Sequence, residues 1–195
     1  MPASLVRILS LKGGIGKSSI AYSLAKIITI SRYKVLLIDM DNLFTISRIL
    51  DAKPCELKIS QFAIYACKDG IKIPTSNYDH IIIDTYAGIT KDKVPQILAN
   101  NIFNVFVTDY FTVPQTLEYM REWDDGRNVL AINMINFNNR EDVKIAKKVV
   151  QNQIAKRNAK VDKIILMPFD EHYYGSYKVN MPKIELLVGF ILNNS

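Results

Sequence analysis

The sequence predicts an α/β protein of three layers with a mostly parallel, doubly wound sheet. Runs of branched apolar residues alternate with amphipathic runs of helical period along the chain, which is the pattern of such sheets. The apolar runs are continuous, as in strands that are covered on both faces. Several end in a polar residue, and open α/β sheets bind ligands at the carboxyl ends of their strands. With 195 residues, 49% of them hydrophobic, we expect a single domain over residues 1–195.

Charge and cysteine content narrow the class of protein. The formal net charge of +6 favours an anionic partner without identifying it. Cys55 and Cys67 lack C-x-x-C spacing, and two thiols make no disulfide framework, so we expect reduced cysteines in the cytosol. The N-terminus lacks a signal-peptide pattern, and no apolar run approaches the ~20 residues of a membrane span. These features predict a cytoplasmic protein.

The first predicted strand, Leu5–Leu9, and the first predicted helix, Ile20–Ile30, flank the glycine-rich stretch L-K-G-G-I-G-K-S-S. Its three glycines let the backbone approach a charged ligand closely. The following helix offers unpaired N–H groups and the positive end of its dipole to an anion. Lys17 can reach terminal phosphates, and the Ser18 hydroxyl can bind Mg²⁺. The stretch therefore predicts a nucleoside triphosphate site; the alternative is a flexible surface turn.

This stretch departs from the common phosphate-loop pattern G-x-x-x-x-G-K-[ST], because Leu11 stands where the first glycine belongs. It fits the variant K-G-G-x-G-K-[ST], and thereby resembles the deviant Walker A motif of the ParA/MinD ATPases, a branch of the P-loop NTPases. The resemblance implies a P-loop NTPase type of fold, ATP and Mg²⁺ as cofactors, and a homodimer that forms with ATP. It gives catalytic roles to Lys17 and to Lys12, which reaches the partner's nucleotide. The expected nucleotide-binding residues of the loop are Gly13, Gly14, Ile15, Gly16, Lys17, Ser18 and Ser19.

The next run, Lys34 to Asp41, predicts a buried strand with two carboxylates at its carboxyl end. Asp39 and Asp41 are two residues apart, so in extended geometry they point to the same face. The ParA/MinD resemblance assigns Asp39 to the Mg²⁺ region and Asp41 to positioning the attacking water. The alternative is that such an aspartate caps the next helix, which we expect to be short, from Phe44 to Leu50.

The stretch Cys55–Thr75 has the weakest signals, and we assign it no function. Ile59 to Ala66 is compatible with a helix. Ile71 to Ile73 is compatible with a short edge strand that Pro74 stops.

A second motif covers His80 to Gly88. Its apolar strand ends in Asp84, the Walker B arrangement, which places a carboxylate beside a magnesium ion bound to Ser18. The string resembles the D-[ST]-P-A-G of the ParA/MinD family, with Tyr86 in place of proline. Gly88 is then a switch residue whose backbone N–H senses the γ-phosphate, since glycine allows close approach.

The next elements are a helix over Lys91–Asn101, a strand over Ile102–Val107, a helix over Val113–Trp123 and a strand over Asn128–Asn133. ParA/MinD proteins use an asparagine at the end of this last strand to hydrogen-bond adenine, so the resemblance makes Asn133 a base-recognition residue. A turn-forming asparagine is the alternative.

From residue 140 to residue 163 the chain holds eight basic and three acidic residues, largely on one predicted helix. Its buried stripe is Val143, Ala146, Val150 and Ile154. This leaves Lys144, Lys148 and Lys156 as candidates for non-specific contact with DNA phosphates. A solvated helix face is the alternative. No helix-turn-helix, zinc-finger or RNA-binding signature predicts base-specific recognition.

The last predicted strand runs from Lys163 to Asp170. Its end resembles the ParA/MinD loop that wraps the adenosine, which assigns Pro168 and Asp170 to nucleotide binding. Pro182 then opens a terminal helix with apolar residues at core spacing.

Together these features predict a ParA-like ATPase that partitions plasmid or chromosomal DNA. The resemblance implies an ATP-dependent homodimer, non-specific DNA binding on the nucleoid, and slow hydrolysis that a centromere-binding partner protein stimulates. A MinD-like membrane ATPase is an alternative, but it requires a basic amphipathic terminal helix, and here only Lys183 follows Pro182. A non-hydrolysing nucleotide-binding regulator is another. A reductase of the nitrogenase iron protein type requires cysteines beyond Asp84, and none follows Cys67.

Overall fold

The computed structural model describes residues 2–67, 75–135, 139–168 and 183–195, except for the side chain of Met134. Three expectations lie outside these residues: the strand at 71–73, the role of Asp170 and the position of Pro182.

Within the described ranges, eight strands form one sheet in the order β3-β4-β2-β5-β1-β6-β7-β8. Every neighbouring pair is parallel except β3 and β4. This architecture confirms the predicted mostly parallel α/β sheet. The strands are β1 (Ser4–Leu9), β2 (Val35–Asp39), β3 (Leu57–Ile59), β4 (Ala63–Ala66), β5 (His80–Asp84), β6 (Asn101–Thr108), β7 (Arg127–Ile135) and β8 (Lys163–Pro168).

Helices cover both faces of the sheet. The described α-helices are α1 (Lys17–Ile30), α2 (Thr45–Ile49), α3 (Val113–Met120), α4 (Arg140–Arg157) and α5 (Ile184–Leu192). Val6 and Ile8 of β1 share one core with α1, α2 and α5. Leu5 and Leu9 point the opposite way, into a second core with α3 and α4. The central strands are therefore continuous apolar runs because each of their two faces has a helical layer to pack against.

The predicted helix over Lys91–Asn101 is wrong. The structure has one 3₁₀ turn, Lys91–Lys93, and Val94 is already extended, with φ −83° and ψ 133°. Pro95 follows Val94, and a proline disfavours helical geometry in the residue before it and removes a donor from the helix. The buried side chains of Val94 and Ile97 still pack on the sheet, so the helical spacing of apolar residues misled the prediction.

The possible helix over Ile59–Ala66 is also wrong, because this segment forms a β-hairpin. β3 pairs antiparallel with β4, and β4 pairs parallel with β2 through four residue pairs. All four residues of β4 are buried. Pairing with β2 therefore decided the conformation of a segment that is too short to show its period in the sequence.

The two cysteines also differ from expectation, since a disulfide joins Cys55 to Cys67, with 4.8 Å between their Cα atoms. The hairpin brings them together. The Cys55 N–H donates to the Ala66 carbonyl oxygen at 2.7 Å, so Cys67 lies directly opposite. The spacing of the cysteines in the sequence gives no sign of this proximity.

Candidate functional site

The segment between β1 and α1 turns sharply at its glycines. Gly14 and Gly16 have φ values of 73° and 90°, in the left-handed region that residues with a Cβ rarely adopt. At Gly13 and Gly14, no atom lies within 4 Å of the place where a Cβ would stand. The loop therefore presents bare backbone to open space.

The amide groups of this loop are available to a ligand. Among the described residues, no acceptor receives a hydrogen bond from the backbone N–H of any residue from Gly13 to Ser19, whereas the Ile20 N–H donates to Gly16 O at 3.0 Å. These unpaired N–H groups end in the first turn of α1, at the positive end of the helix dipole. Successive unpaired N–H groups at a helix N-terminus form an anion-binding concavity.

Lys17 is the first residue of α1 and is only 6% exposed. Burial lowers the pKa of its ammonium group, and the negative charges of Asp84 and Asp41 oppose that change. The lysine therefore begins the helix that follows the loop amides, within electrostatic reach of two carboxylates. A cation in this position complements a phosphate that the amides hold.

Asp84 ends β5 and is completely buried. The pKa of its carboxyl is raised to about 8, chiefly because the group is buried. The nearby Ser18 hydroxyl acts in the opposite direction, and the negative charge of Asp39 contributes to the rise. Neither carboxylate oxygen has a partner in normal hydrogen-bond geometry among the described residues. Buried polar atoms are rarely left unpartnered in proteins, so this carboxylate and the adjacent hydroxyl fit a bound cation.

No cluster of three or more His, Cys, Asp or Glu side chains within the described ranges could hold a metal ion by itself. This is compatible with Mg²⁺, which commonly binds one or two protein ligands together with substrate phosphates and water. Ser18 and Asp84 would supply the protein ligands.

Asp39 lies beside Asp84, because the two residues are paired in register between β2 and β5. Its oxygens already have donors. Oδ2 accepts from the backbone N–H and the hydroxyl of Ser47, at 2.9 Å and 2.7 Å, and Oδ1 accepts from the Asp41 N–H at 3.2 Å. Asp39 thus anchors α2 to the end of β2, and its expected place in the Mg²⁺ region stays a prediction.

Asp41 is half-buried beyond the end of β2. Its Oδ2 accepts weakly from the Leu43 N–H at 3.3 Å and from the Thr45 hydroxyl at 3.4 Å. These contacts stabilise the turn before α2, but they are not the helix cap of the alternative, because the N-cap residue of α2 is Phe44 and no side chain caps it. Asp41 also lies close enough to Lys17 to raise the pKa of its ammonium group, which places the carboxylate near the loop.

Lys12 differs from Lys17 in being mostly exposed and paired with a different carboxylate. Its side chain is 58% exposed, and Nζ donates to Asp109 Oδ2 at 3.2 Å. The other oxygen of Asp109 accepts from the Thr112 N–H and hydroxyl, both at 2.8 Å. Burial alone would raise the pKa of Asp109, but these hydrogen bonds and Lys12 together lower it. Sequence reasoning missed Asp109, whose one signal was its position directly after β6.

Gly88 also has a left-handed backbone, with φ 70°. Its N–H donates to the Ser10 carbonyl oxygen at 2.7 Å. This bond ties the segment after β5 to the start of the glycine-rich loop. The amide can act as a γ-phosphate sensor only after this hydrogen bond breaks.

The ParA/MinD resemblance assigns Asn133 and Pro168 to the adenosine part of the nucleotide, and the two residues lie in different surroundings. The Asn133 side chain, near the end of β7, donates from Nδ2 to the Ile15 carbonyl oxygen at 2.7 Å. Pro168 ends β8 and is half-buried.

The expected DNA-binding lysines lie on α4, which ends at Arg157, where Asn158 adopts a left-handed conformation. Lys144, Lys148 and Lys156 are all exposed. Ala146 and Val150 are buried in the core, so the helix has one buried and one cationic side. Across the described ranges, no helix combines the length and apolarity needed to cross a bilayer.

Comparison with solved structures supports the fold. The Aquifex aeolicus MinC:MinD cell division protein complex has a chain with a TM-score of 0.65 and 18% identity, covering 99% of this chain and 97% of its own length. A putative plasmid partition protein from Borrelia burgdorferi B31, bound to AMPPNP, has a TM-score of 0.64 and 17% sequence identity. The match covers 100% of this chain and 98% of that protein's chain. Cyanthece apo McdA has a TM-score of 0.69 and 16% sequence identity, and the match covers 100% of this chain and 99% of the McdA chain.

Among curated protein sequences, none matches this chain significantly. A model of the CobQ/CobB/MinD/ParA nucleotide binding domain matches residues 6–193. The match includes the glycine-rich loop, both aspartate-ended strands and β7, and it confirms the predicted ParA/MinD resemblance. The chain therefore belongs to the CobQ/CobB/MinD/ParA family of nucleotide-binding domains.

Proposed function

We propose that this protein is a ParA-like ATPase that forms an ATP-dependent dimer, binds DNA non-specifically and drives plasmid or chromosome partitioning. One observation carries the proposal: unpaired amides from Gly13 to Ser19 lead into a buried lysine, Lys17, which interacts electrostatically with the buried carboxylate of Asp84. This arrangement suits a triphosphate with its cation. A centromere-binding partner protein would stimulate slow hydrolysis.

In the proposed reaction, the protein positions groups and neutralises charge, as is usual for phosphoryl transfer. The loop amides and Lys17 hold the phosphates, and Ser18 and Asp84 hold the cation. Mg²⁺, when bound, would neutralise charge that develops on the phosphate oxygens. Asp41 would orient the attacking water from the mouth of the site.

Dimer formation requires Lys12 to leave Asp109 and reach the partner's nucleotide. The cost of this step is small, because exposed ion pairs contribute only about 0–1 kcal/mol. The phosphates of a triphosphate offer a far denser negative charge than one carboxylate. The pair with Asp109 therefore holds the lysine in the single chain without opposing its transfer.

Light scattering tests the dimer. We expect the 22.2 kDa chain to double in mass with ATP or a slowly hydrolysed analogue, and to stay monomeric with ADP or without nucleotide. Lys12→Ala should prevent the doubling, whereas Lys26→Ala, which removes the same charge from α1, should not. A wild-type protein that binds the analogue but stays monomeric would refute the dimer.

The exposed lysines of α4 support DNA binding by charge. Replacing Lys144, Lys148 and Lys156 with glutamate should weaken binding and reduce the slope of log affinity against log salt by about 2–3, since each phosphate contact contributes about 0.9. The measurement is a salt titration with duplexes of unrelated sequence. The control reverses Lys26, Lys34 and Lys53, which gives the same net charge. An unaltered slope in the α4 variant would place the DNA surface elsewhere.

A membrane role of MinD type has less support. The apolar residues of α5 pack against α1 and β6 as part of the core, so that side of the helix is not available to a lipid surface. Binding to anionic liposomes with ATP, measured by co-sedimentation, would favour the membrane role instead.

A further inference from the structure

We propose that Asn133 positions the phosphate-binding loop by holding one of its peptide groups. The inference rests on the proposed function, in that the loop from Gly13 to Ser19 binds a polyphosphate. It assigns a role in phosphate affinity to a residue near the end of β7, which lies two strands from β1 in the sheet.

The contact is direct and shielded from water. Asn133 Nδ2 donates to Ile15 O at 2.7 Å, between residues 118 positions apart in the chain. Asn133 is 5% exposed and Ile15 is 3% exposed. A short hydrogen bond in such surroundings constrains the loop, because water cannot replace the donor when it is removed.

The strand itself directs Asn133 toward the loop. Along β7, Val129 and Ala131 face the core that contains Ile15, whereas Leu130 and Ile132 face the opposite core. Alternation places Asn133 on the side of Ile15. The pairing with β8 then becomes irregular between Ile132 and Ile135. Irregularities of this kind often lie beside functional sites, where they redirect a side chain.

The geometry of the peptide bond explains how this contact would affect the phosphates. The carbonyl of Ile15 and the N–H of Gly16 belong to one planar trans peptide, so they point in opposite directions. When Asn133 holds the carbonyl on the core side, the Gly16 N–H must point to the other side. That N–H has no acceptor within the described residues, and it is one of the amides of the anion-binding concavity.

Flanking glycines make this restraint necessary. Gly14 and Gly16 have the widest backbone freedom, and without a restraint the Ile15–Gly16 peptide could flip at little steric cost. A flipped peptide would turn a carbonyl oxygen toward the phosphates. Asn133 therefore acts through the loop as a positioning residue.

The test compares ATP, GTP and inorganic tripolyphosphate, which has no base, by calorimetry with wild type and Asn133→Ala. We expect affinity for all three to fall by about 10–100-fold, because the loop binds the polyphosphate part that all three share. A residue that acts on the base alone would change the ATP to GTP ratio and leave tripolyphosphate binding intact, and this result would overturn the inference. Equal affinities in both proteins would also overturn it.

A second measurement does not depend on nucleotide. Hydrogen–deuterium exchange of the peptide covering residues 13–19 should be faster in Asn133→Ala than in wild type, and unchanged exchange contradicts the inference. If wild type binds no polyphosphate, the proposed function fails, while the exchange result still decides whether Asn133 holds the loop. Should Asn133→Ala not fold, Asn133→Asp serves, because it is nearly isosteric and lacks the donor. Asn152→Ala, at an exposed position within α4, is the control.

Discussion

Replacing Lys17 with alanine is expected to abolish ATP binding, with a loss of at least about 100-fold in affinity. Hydrogen bonds to charged groups contribute about 1.5–3 kcal/mol each, and Lys17 is placed to make two or more with the terminal phosphates. A loss of about 3 kcal/mol corresponds to about 100-fold. The effect should be the largest of any single lysine, because Lys17 is buried at the start of α1 whereas Lys12 is exposed.

Titration calorimetry with ATP and Mg²⁺ measures this loss. Lys26→Ala is the matched control, since it removes a lysine from the same helix away from the loop. Thermal unfolding of both variants separates lost binding from lost structure, because Lys17→Ala also removes a positive charge that interacts with Asp84 and Asp41. If the folded Lys17→Ala protein binds ATP as wild type does, the loop is not the nucleotide site.

Replacing Asp41 with alanine should slow hydrolysis by about 100-fold or more and leave an ATP-bound dimer. A positioned carboxylate that assists proton transfer or orients water typically contributes 10²–10⁴ in rate. Binding should survive, because the loop amides and Lys17 hold the phosphates independently of Asp41. Phosphate release and light scattering on the same sample test the two parts together.

Asp41 also supports a turn through Leu43 and Thr45, and two further variants separate that role from catalysis. Asp41→Asn keeps an acceptor for these hydrogen bonds but removes the charge, so it should be as slow as Asp41→Ala. Thr45→Val removes a turn contact only and should hydrolyse at nearly the wild-type rate. An Asp41→Ala protein that remains monomeric with ATP and still hydrolyses it would exclude the proposed role.

The elements that the sequence predicted well are those with strong local patterns. The glycine-rich loop, the buried strands on either side of it and the helix that begins at Lys17 follow from glycine positions and continuous apolar runs. The errors lie where a pattern was short or ambiguous. Pro95 ended the helix expected after Asp84, and pairing with β2 turned residues 57–66 into a hairpin.

The sequence by itself determined the class of fold, the place of the glycine-rich loop and the aspartates that end β2 and β5. These features depend on neighbours within a few residues, so they are visible in the chain. Only the tertiary structure decided which distant groups meet: the Asn133 side chain with the Ile15 carbonyl, Lys12 with Asp109, and Cys55 with Cys67. Such contacts join residues that are distant in the chain, and they depend on strand order and on the direction of each side chain from its strand, which no local pattern specifies.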